Sequence, residues 1–287
     1  MDPFASPHNL DRELHSFLAE ASRNLCYWFA ESGSQGPIPD SLDLPDPFPN
    51  KKGLSNKVLL NELQLLMKSS YRPSHPRALA HLDPPPLSAS IVGELICAGL
   101  NNNLLAEELS PSLTSLERNL CKWFCQKLGL GDLSGGVAAS GGSLSNLMAL
   151  VMARNIAGLE NDPNAVFFAS DDCHVSFLKS LGVMGLKQES LLKIPTDEKG
   201  KLDISYLYSN LNNIKSQGKK CFAVVATAGT TVRGAIDPLS EIAQFCHEEE
   251  IWLHVDGAIG GIYGLSTITS KIVKGLGSAD SLTVNPQ

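Results

Sequence analysis

Apolar residues at Leu10, Leu14, Phe17, Leu18, Ala21, Leu25 and Trp28 recur with helical spacing and predict one amphipathic helix over residues 9–31. The period is lost over residues 33–53, where Pro37, Pro39, Pro45, Pro47 and Pro49 accumulate. Proline has no backbone N–H and clashes inside a helix, so this stretch reads as an extended connector. A second helix is predicted over 55–67, with Ser55 as its N-cap. Residues 71–86 form another proline-rich loop, containing His75-Pro76-Arg77 and Asp83-Pro84-Pro85-Pro86. Helices follow over 87–100 and 112–128. Pro111 stands just before the latter, and Thr114, Ser115 and Glu117 lie near its start.

From Gly135 the pattern changes. Val166-Phe167-Phe168-Ala169, Cys221-Phe222-Ala223-Val224-Val225-Ala226 and Ile251-Trp252-Leu253-His254-Val255 are short, almost unbroken apolar runs. Such runs suit strands of a parallel sheet covered on both faces. Helical patterns over 202–212 and 239–250 alternate with them. The alternation predicts an α/β domain preceded by a helical segment, with the division placed at 1–90 and 91–287. The charged stretch 193–201 reads as a solvated loop, and no internal repeat is visible.

Composition is that of a globular chain, 43% hydrophobic and 18% charged over 287 residues. The net charge of −7 argues against nucleic acid or an anionic membrane as the main partner. No apolar run approaches the ~20 residues that span a bilayer. Met1 to Leu10 lack the basic and apolar regions of a secretory signal. The seven cysteines are odd in number and scattered, which fits reduced thiols in the cytoplasm. Cys121 and Cys125 stand one helical turn apart, but the nearest histidine in sequence is His81, so they read as structural and no metal is expected.

Ala139-Ser140-Gly141-Gly142-Ser143-Leu144-Ser145-Asn146 runs into a strong helix former. Paired glycines let a ligand approach the backbone, the helix N-terminus offers free N–H groups to a phosphate, and Ser143 adds a hydroxyl. A plain glycine turn capping a helix fits these residues equally well. A P-loop does not, because no Lys-Ser or Lys-Thr follows the glycines. Gly129-Leu130-Gly131-Asp132-Leu133-Ser134 imitates a dinucleotide fingerprint, yet it ends in Ser and follows a helix. Asp256 closes an apolar run at what reads as the C-terminal edge of a parallel strand, where ligands bind. It is a candidate partner for a cationic group, or a turn cap. His174 lies just past another strand and is either structural or functional.

Seven ordered motifs together give the chain a strong resemblance. They are His75-Pro76-Arg77; Ser110-Pro111-Ser112-Leu113-Thr114-Ser115-Leu116-Glu117; Gly141-Gly142-Ser143-Leu144-Ser145-Asn146; and Asp172-Cys173-His174. Ala228-Gly229-Thr230-Thr231 through Gly234-Ala235-Ile236-Asp237-Pro238, then His254-Val255-Asp256, then Ala279-Asp280-Ser281 to Asn285-Pro286-Gln287 complete the series. The chain resembles the group II pyridoxal-phosphate-dependent amino-acid decarboxylases over nearly its whole length. The resemblance implies fold type I: a helical N-terminal segment that packs on a partner subunit and a mainly parallel α/β large domain. The small C-terminal domain of that architecture has no counterpart here.

It also implies pyridoxal 5'-phosphate as cofactor, an amino acid as substrate, a homodimer, and release of CO2 to give an amine. Gly142 and Ser143 are expected to hold the phosphate, His174 to stack on the ring, and Asp256 to pair with the pyridine nitrogen. Ala258 is expected on the opposite ring face, Thr230 near the ring substituents, Asn285 near the phosphate or the lysine loop, and His75 at the substrate entrance. In the family a lysine that bonds the cofactor follows the Asn-Pro-Gln tail, so the 287 residues alone are expected to turn over very slowly. Lys271 and Lys274 follow no Asn-Pro pair and read as surface charges. Relatives usually carry Ala at the position of Gly257 and an aromatic residue at that of Ile259. Gly257 is expected to loosen its turn and Ile259 to alter a wall near the cofactor. Two other readings stand beside this one: a non-catalytic truncated paralogue that dimerises with an intact decarboxylase, and another fold type I lyase or transaminase.

Overall fold

The computed structural model describes residues 4–40, 42–48, 51–79, 82 and 84–286. Met1, Pro49, His81, Asp83 and Gln287, on which the sequence reading drew, lie outside the described residues. The chain divides into two compact units, Met1–Asn101 and Asn102–Gln287.

In the first unit the amphipathic repeat forms α1 (Arg12–Glu31), started by Asp11, whose side chain accepts the N–H of Leu14. Leu14, Phe17, Ala21, Leu25 and Trp28 are half-buried along one stripe. Leu10 and Leu18, assigned to the same face, are exposed instead. Helix α2 (Asn56–Lys68) begins after Ser55, whose hydroxyl accepts the N–H of Val58, as the N-cap reading expected. The proline-rich connector between them is irregular, and Arg72 ties it down by donating to the carbonyls of Gly36 and, through its backbone, Pro37. Helix α3 (Ser88–Leu100) buries none of its residues, and Val92, Leu95 and Ile96 are exposed.

The first α-helix of the second unit is α4 (Pro111–Lys127), after a 3-10 turn at Glu107–Leu109. Pro111 is its first helical residue, not the one preceding it, since a missing N–H costs nothing in the first turn. Helix α5 (Gly142–Ile156) follows the glycine pair. Then come β1 (Ala165–Ser170), α6 (Ser176–Val183), β2 (Leu191–Ile194), α7 (Ile204–Ser216), β3 (Lys220–Thr227), α8 (Leu239–Glu248), β4 (Trp252–Gly257) and, after three short 3-10 turns, β5 (Ser281–Val284). All strand pairs are parallel, in the order β2-β1-β3-β4-β5.

The apolar runs are explained by burial on both faces. On one side Leu150 and Ala153 of α5 and Phe177 and Leu181 of α6 pack on Phe167 and Val225. On the other, Leu207 and Leu211 of α7 and Ile242 and Phe245 of α8 pack on Val166, Phe168, Val224, Leu253 and Val255. Two expectations fail here. Residues 193–201 are not all loop: Lys193 and Ile194 belong to β2, and Lys193 Nζ donates to the carbonyls of Ser170 and Asp171. Gly257 does not loosen a turn. It pairs with Val284 inside the sheet, and a β-carbon on it would lie 2.8 Å from the Thr283 carbonyl oxygen.

Candidate active site

The strand order reverses direction between β1 and β3, and at such a switch point ligands bind beyond the C-terminal ends of the strands. His174 follows β1, Thr230 follows β3, and Asp256 is the penultimate residue of β4, in register with Thr227 of β3. The pleat sorts β4 by face. Leu253 and Val255 enter the α7–α8 core, so Trp252, His254 and Asp256 turn to the α5 face. In register beside His254 and Asp256 stand Ser281 and Thr283 of β5.

Helix α5 covers this polar face. Asn146, 1% exposed, donates its amide to Asp256 Oδ2 at 2.9 Å and to Ser176 Oγ at 3.2 Å. Its Oδ1 meets His254 Nε2 at 3.0 Å. One turn earlier on the same helix, Gly142 is the first residue of α5, and the first N–H groups of a helix have no intrahelical acceptor. A β-carbon on Gly142 would lie 3.3 Å from Ala258 Cβ and 3.8 Å from Thr283 Cγ2. Ser145 Oγ and Thr283 Oγ1, 2.9 Å apart, fasten the same turn to β5.

Asp256 is 6% exposed; its Oδ2 takes the Asn146 amide and its Oδ1 the N–H of Ala258 at 3.2 Å. His174 is half-buried and its Nδ1 lies 2.9 Å from Ser176 Oγ and 3.2 Å from the Ser176 N–H. The structure thus gathers Gly142, Ala258, Asp256 and His174 around the Asn146 side chain and its helix. Thr230 is buried, and its Oγ1 accepts the N–H of Ala235 at 3.1 Å, closing its own loop. That loop lies against the turn after β4, where the Gly260 N–H donates to the Ala228 carbonyl at 2.8 Å. Ser143 is exposed at the start of α5, and Asn285 is half-buried directly after β5. His75 belongs to the first unit; it is buried, with Nδ1 accepting the N–H of Arg77 at 3.0 Å. Lys271 and Lys274 are exposed.

Burial sets the electrostatics. His254 is fully enclosed, and desolvation pulls its imidazole well below the ordinary histidine range, against the pull of Asp256. Asp237 is pushed up to about 6 by burial, although it accepts the N–H groups of Leu202 and Thr227. Burial also raises the Cys173 thiol, with Lys193 opposing at 3.3 Å. The sequence reading assigned no role to Asn146, Ser176, His254 or Ser281. Asn146 and His254 lie inside quoted motifs, but Asn146 meets His254 and Asp256 across 108 and 110 residues, and only the fold reveals those contacts.

The donor set fits a phosphorylated, cationic heteroaromatic group: N–H groups at a glycine-initiated helix end, a buried carboxylate, and an imidazole joined to it through Ser176 and Asn146. The comparisons agree. Residues 39–287 match the pyridoxal-dependent decarboxylase conserved domain. The chain is 38% identical over 213 residues to an aromatic-L-amino-acid decarboxylase of Bacillus atrophaeus, covering 74% of this chain and 44% of that protein. It is 32% identical over 278 residues to a cysteine sulfinic acid decarboxylase of Rattus norvegicus, covering 93% and 54%. Among solved structures, the glutamate decarboxylase domain of a Vibrio parahaemolyticus protein superposes with a TM-score of 0.90 at 27% identity, covering 98% of this chain and 65% of that one. Mouse CSAD gives 0.89 at 27%, covering 97% and 61%. The chain spans about half the length of the curated relatives it matches.

Proposed function

The chain belongs to the pyridoxal-dependent decarboxylase family, and on that premise we propose that it forms the cofactor-binding part of an enzyme converting an L-amino acid to its amine and CO2. The observation that carries the reading is the Asn146 amide, which fastens Asp256 to the same helix whose first turn offers free N–H groups. A phosphate at Gly142 and Ser143 and a ring nitrogen at Asp256 then belong to one ligand.

Bound there, pyridoxal phosphate supplies a protonated ring that takes up the electron pair left when CO2 departs. Asp256 would hold the proton on the ring nitrogen. His174 would cover one face of the ring, and Ala258, with no side chain beyond Cβ, would leave room at the other. Thr230 and Asn285 are assigned to the ring substituents and the phosphate end, and His75 to the substrate entrance. No covalent role is assigned to Lys271 or Lys274, so turnover by the 287 residues alone is proposed to be slow. Exposed Val92, Leu95 and Ile96 on α3 support a homodimer built through the N-terminal segment. Seven free cysteines support a reducing compartment, the cytoplasm.

The test appends one lysine after Gln287 and measures CO2 release with pyridoxal phosphate. L-glutamate, L-cysteine sulfinate, L-2,4-diaminobutyrate and aromatic L-amino acids are the substrates. The expected result is a borohydride-stable cofactor adduct on the added lysine and release from one substrate class. A stable adduct on Lys271 or Lys274 in the unextended chain, or neither adduct nor CO2 from the extended one, overturns the proposal.

A further inference from the structure

Between β4, β5, α5 and the His174 loop runs a chain of side-chain hydrogen bonds whose directions are set from the Asp256 carboxylate, which can only accept. Trp252 Nε1 lies 2.8 Å from Ser281 Oγ, and an indole nitrogen can only donate. Ser281 Oγ therefore accepts from Trp252, and it keeps its own hydrogen to offer His254 Nδ1 at 2.9 Å. The amide of Asn146 is oriented by Asp256, because the flipped amide would aim its oxygen at the carboxylate. Its Oδ1 then faces His254 Nε2 at 3.0 Å and requires the ring proton there, which leaves Nδ1 to accept the Ser281 hydrogen. Both Asn146 N–H groups are then spent, one on Asp256 Oδ2 and one on Ser176 Oγ. The Ser176 backbone N–H donates to His174 Nδ1 at 3.2 Å, so that nitrogen carries no hydrogen and takes the Ser176 hydroxyl hydrogen as well, at 2.9 Å.

His254 is 0% exposed and receives one donor and makes one donation, which only a neutral imidazole satisfies; burial pulls the same way. His174 Nδ1 faces two donors and carries no hydrogen, so the ring proton resides on Nε2, the nitrogen turned away from Ser176.

We propose that Asn146 and Ser176 are positioning residues. They lock His174 and His254 as neutral Nε2–H tautomers and, through the same amide, fix the rotamer of Asp256. On the functional reading given above, the carboxylate beneath the cofactor ring and the imidazole over it are thereby set by one hydrogen-bonded unit. The tautomers themselves do not depend on that reading. The ordering is worth having because an imidazole free to exchange its proton between nitrogens presents a donor at Nε2 only part of the time.

Long-range proton–nitrogen correlation spectra of the cofactor-free, 15N-histidine-labelled 287-residue chain test this, with signals assigned through His174→Gln and His254→Gln. The expected spectrum at neutral pH shows both residues as single tautomers with hydrogen on Nε2. In Ser176→Ala, His174 should lose its single-tautomer pattern while His254 keeps its own, and Ser176→Thr should restore it. Asn146→Leu should disturb both. A wild-type His174 protonated on Nδ1 or averaged between tautomers overturns the proposal, whether or not the variants fold. So does a Ser176→Ala spectrum unchanged at His174. If the tautomers are as stated and pyridoxal phosphate fails to bind the wild-type chain, the functional reading fails and the positioning network stands.

Discussion

Gly142 and Ala258 meet so closely that a β-carbon on Gly142 would stand 3.3 Å from Ala258 Cβ. The contact joins the start of α5 to the turn after β4, the two ends of the proposed cofactor cradle. A methyl group there requires a shift of a few tenths of an ångström, and a branched side chain requires far more. Gly142→Ala should fold with little loss, and Gly142→Val should lose about 1–3 kcal/mol in denaturant unfolding together with its affinity for pyridoxal phosphate. Equal behaviour of Gly142→Val and wild type would remove the cradle from this position.

Gly257 answers to a different constraint. Its would-be β-carbon collides with backbone, at 2.8 Å from the Thr283 carbonyl oxygen and 3.0 Å from Gly261 Cα. Gly257→Ala should therefore destabilise the chain by about 1–3 kcal/mol, because β5 must move. An unchanged unfolding midpoint would show that β5 moves freely.

Phe167 is completely buried and touches Phe177 and Phe222, with ring centroids 6.5 and 5.6 Å away. The three rings join β1, β3 and α6. Phe167→Ala should cost about 3–5 kcal/mol, since the neighbours can collapse only partly into the space. Urea unfolding checks this, and a loss below about 1 kcal/mol would contradict the packing described.

Asp237 gives the fold a pH dependence. Desolvation lifts its carboxyl from 3.8 to about 6 in the folded chain. A raised folded value means stability that is fully present below the unfolded value and is lost as pH rises through about 6. The loss is on the order of 3 kcal/mol. His254 runs the other way, losing stability as pH falls below the ordinary histidine range, because burial disfavours its charge. The two slopes overlap, so the readout is a difference. Asp237→Asn should remove the decline with rising pH and leave stability falling toward acid. It should also lower stability throughout, because an amide cannot accept both the Leu202 and Thr227 N–H groups as the carboxylate does. Parallel pH profiles for the two proteins would refute the assignment.

The central strands were legible because burial on both faces leaves unbroken apolar runs such as Val166-Phe167-Phe168-Ala169. Strands β2 and β5 were not. Each is four residues long, β2 carries exposed Lys193, and β5 shows Ser281 and Thr283 to the polar face under α5. Helix α6 escaped for a similar reason: eight residues interrupted by Gly182 give barely two turns of period. At the site, Asp256 and the Gly142 turn were visible as a strand end and a glycine-led helix. The link between them was not, because the Asn146–Asp256 bond spans 110 residues and exists only once α5 lies across β4.

The pairing of Asp256 with a ring nitrogen is tested most directly by the dissociation constant of pyridoxal phosphate for the 287-residue chain and for Asp256→Ala, followed by cofactor absorbance. Losing one charge-assisted hydrogen bond should weaken binding about 10- to 100-fold, while far-ultraviolet circular dichroism stays unchanged. Identical affinities in the two folded proteins would contradict the account.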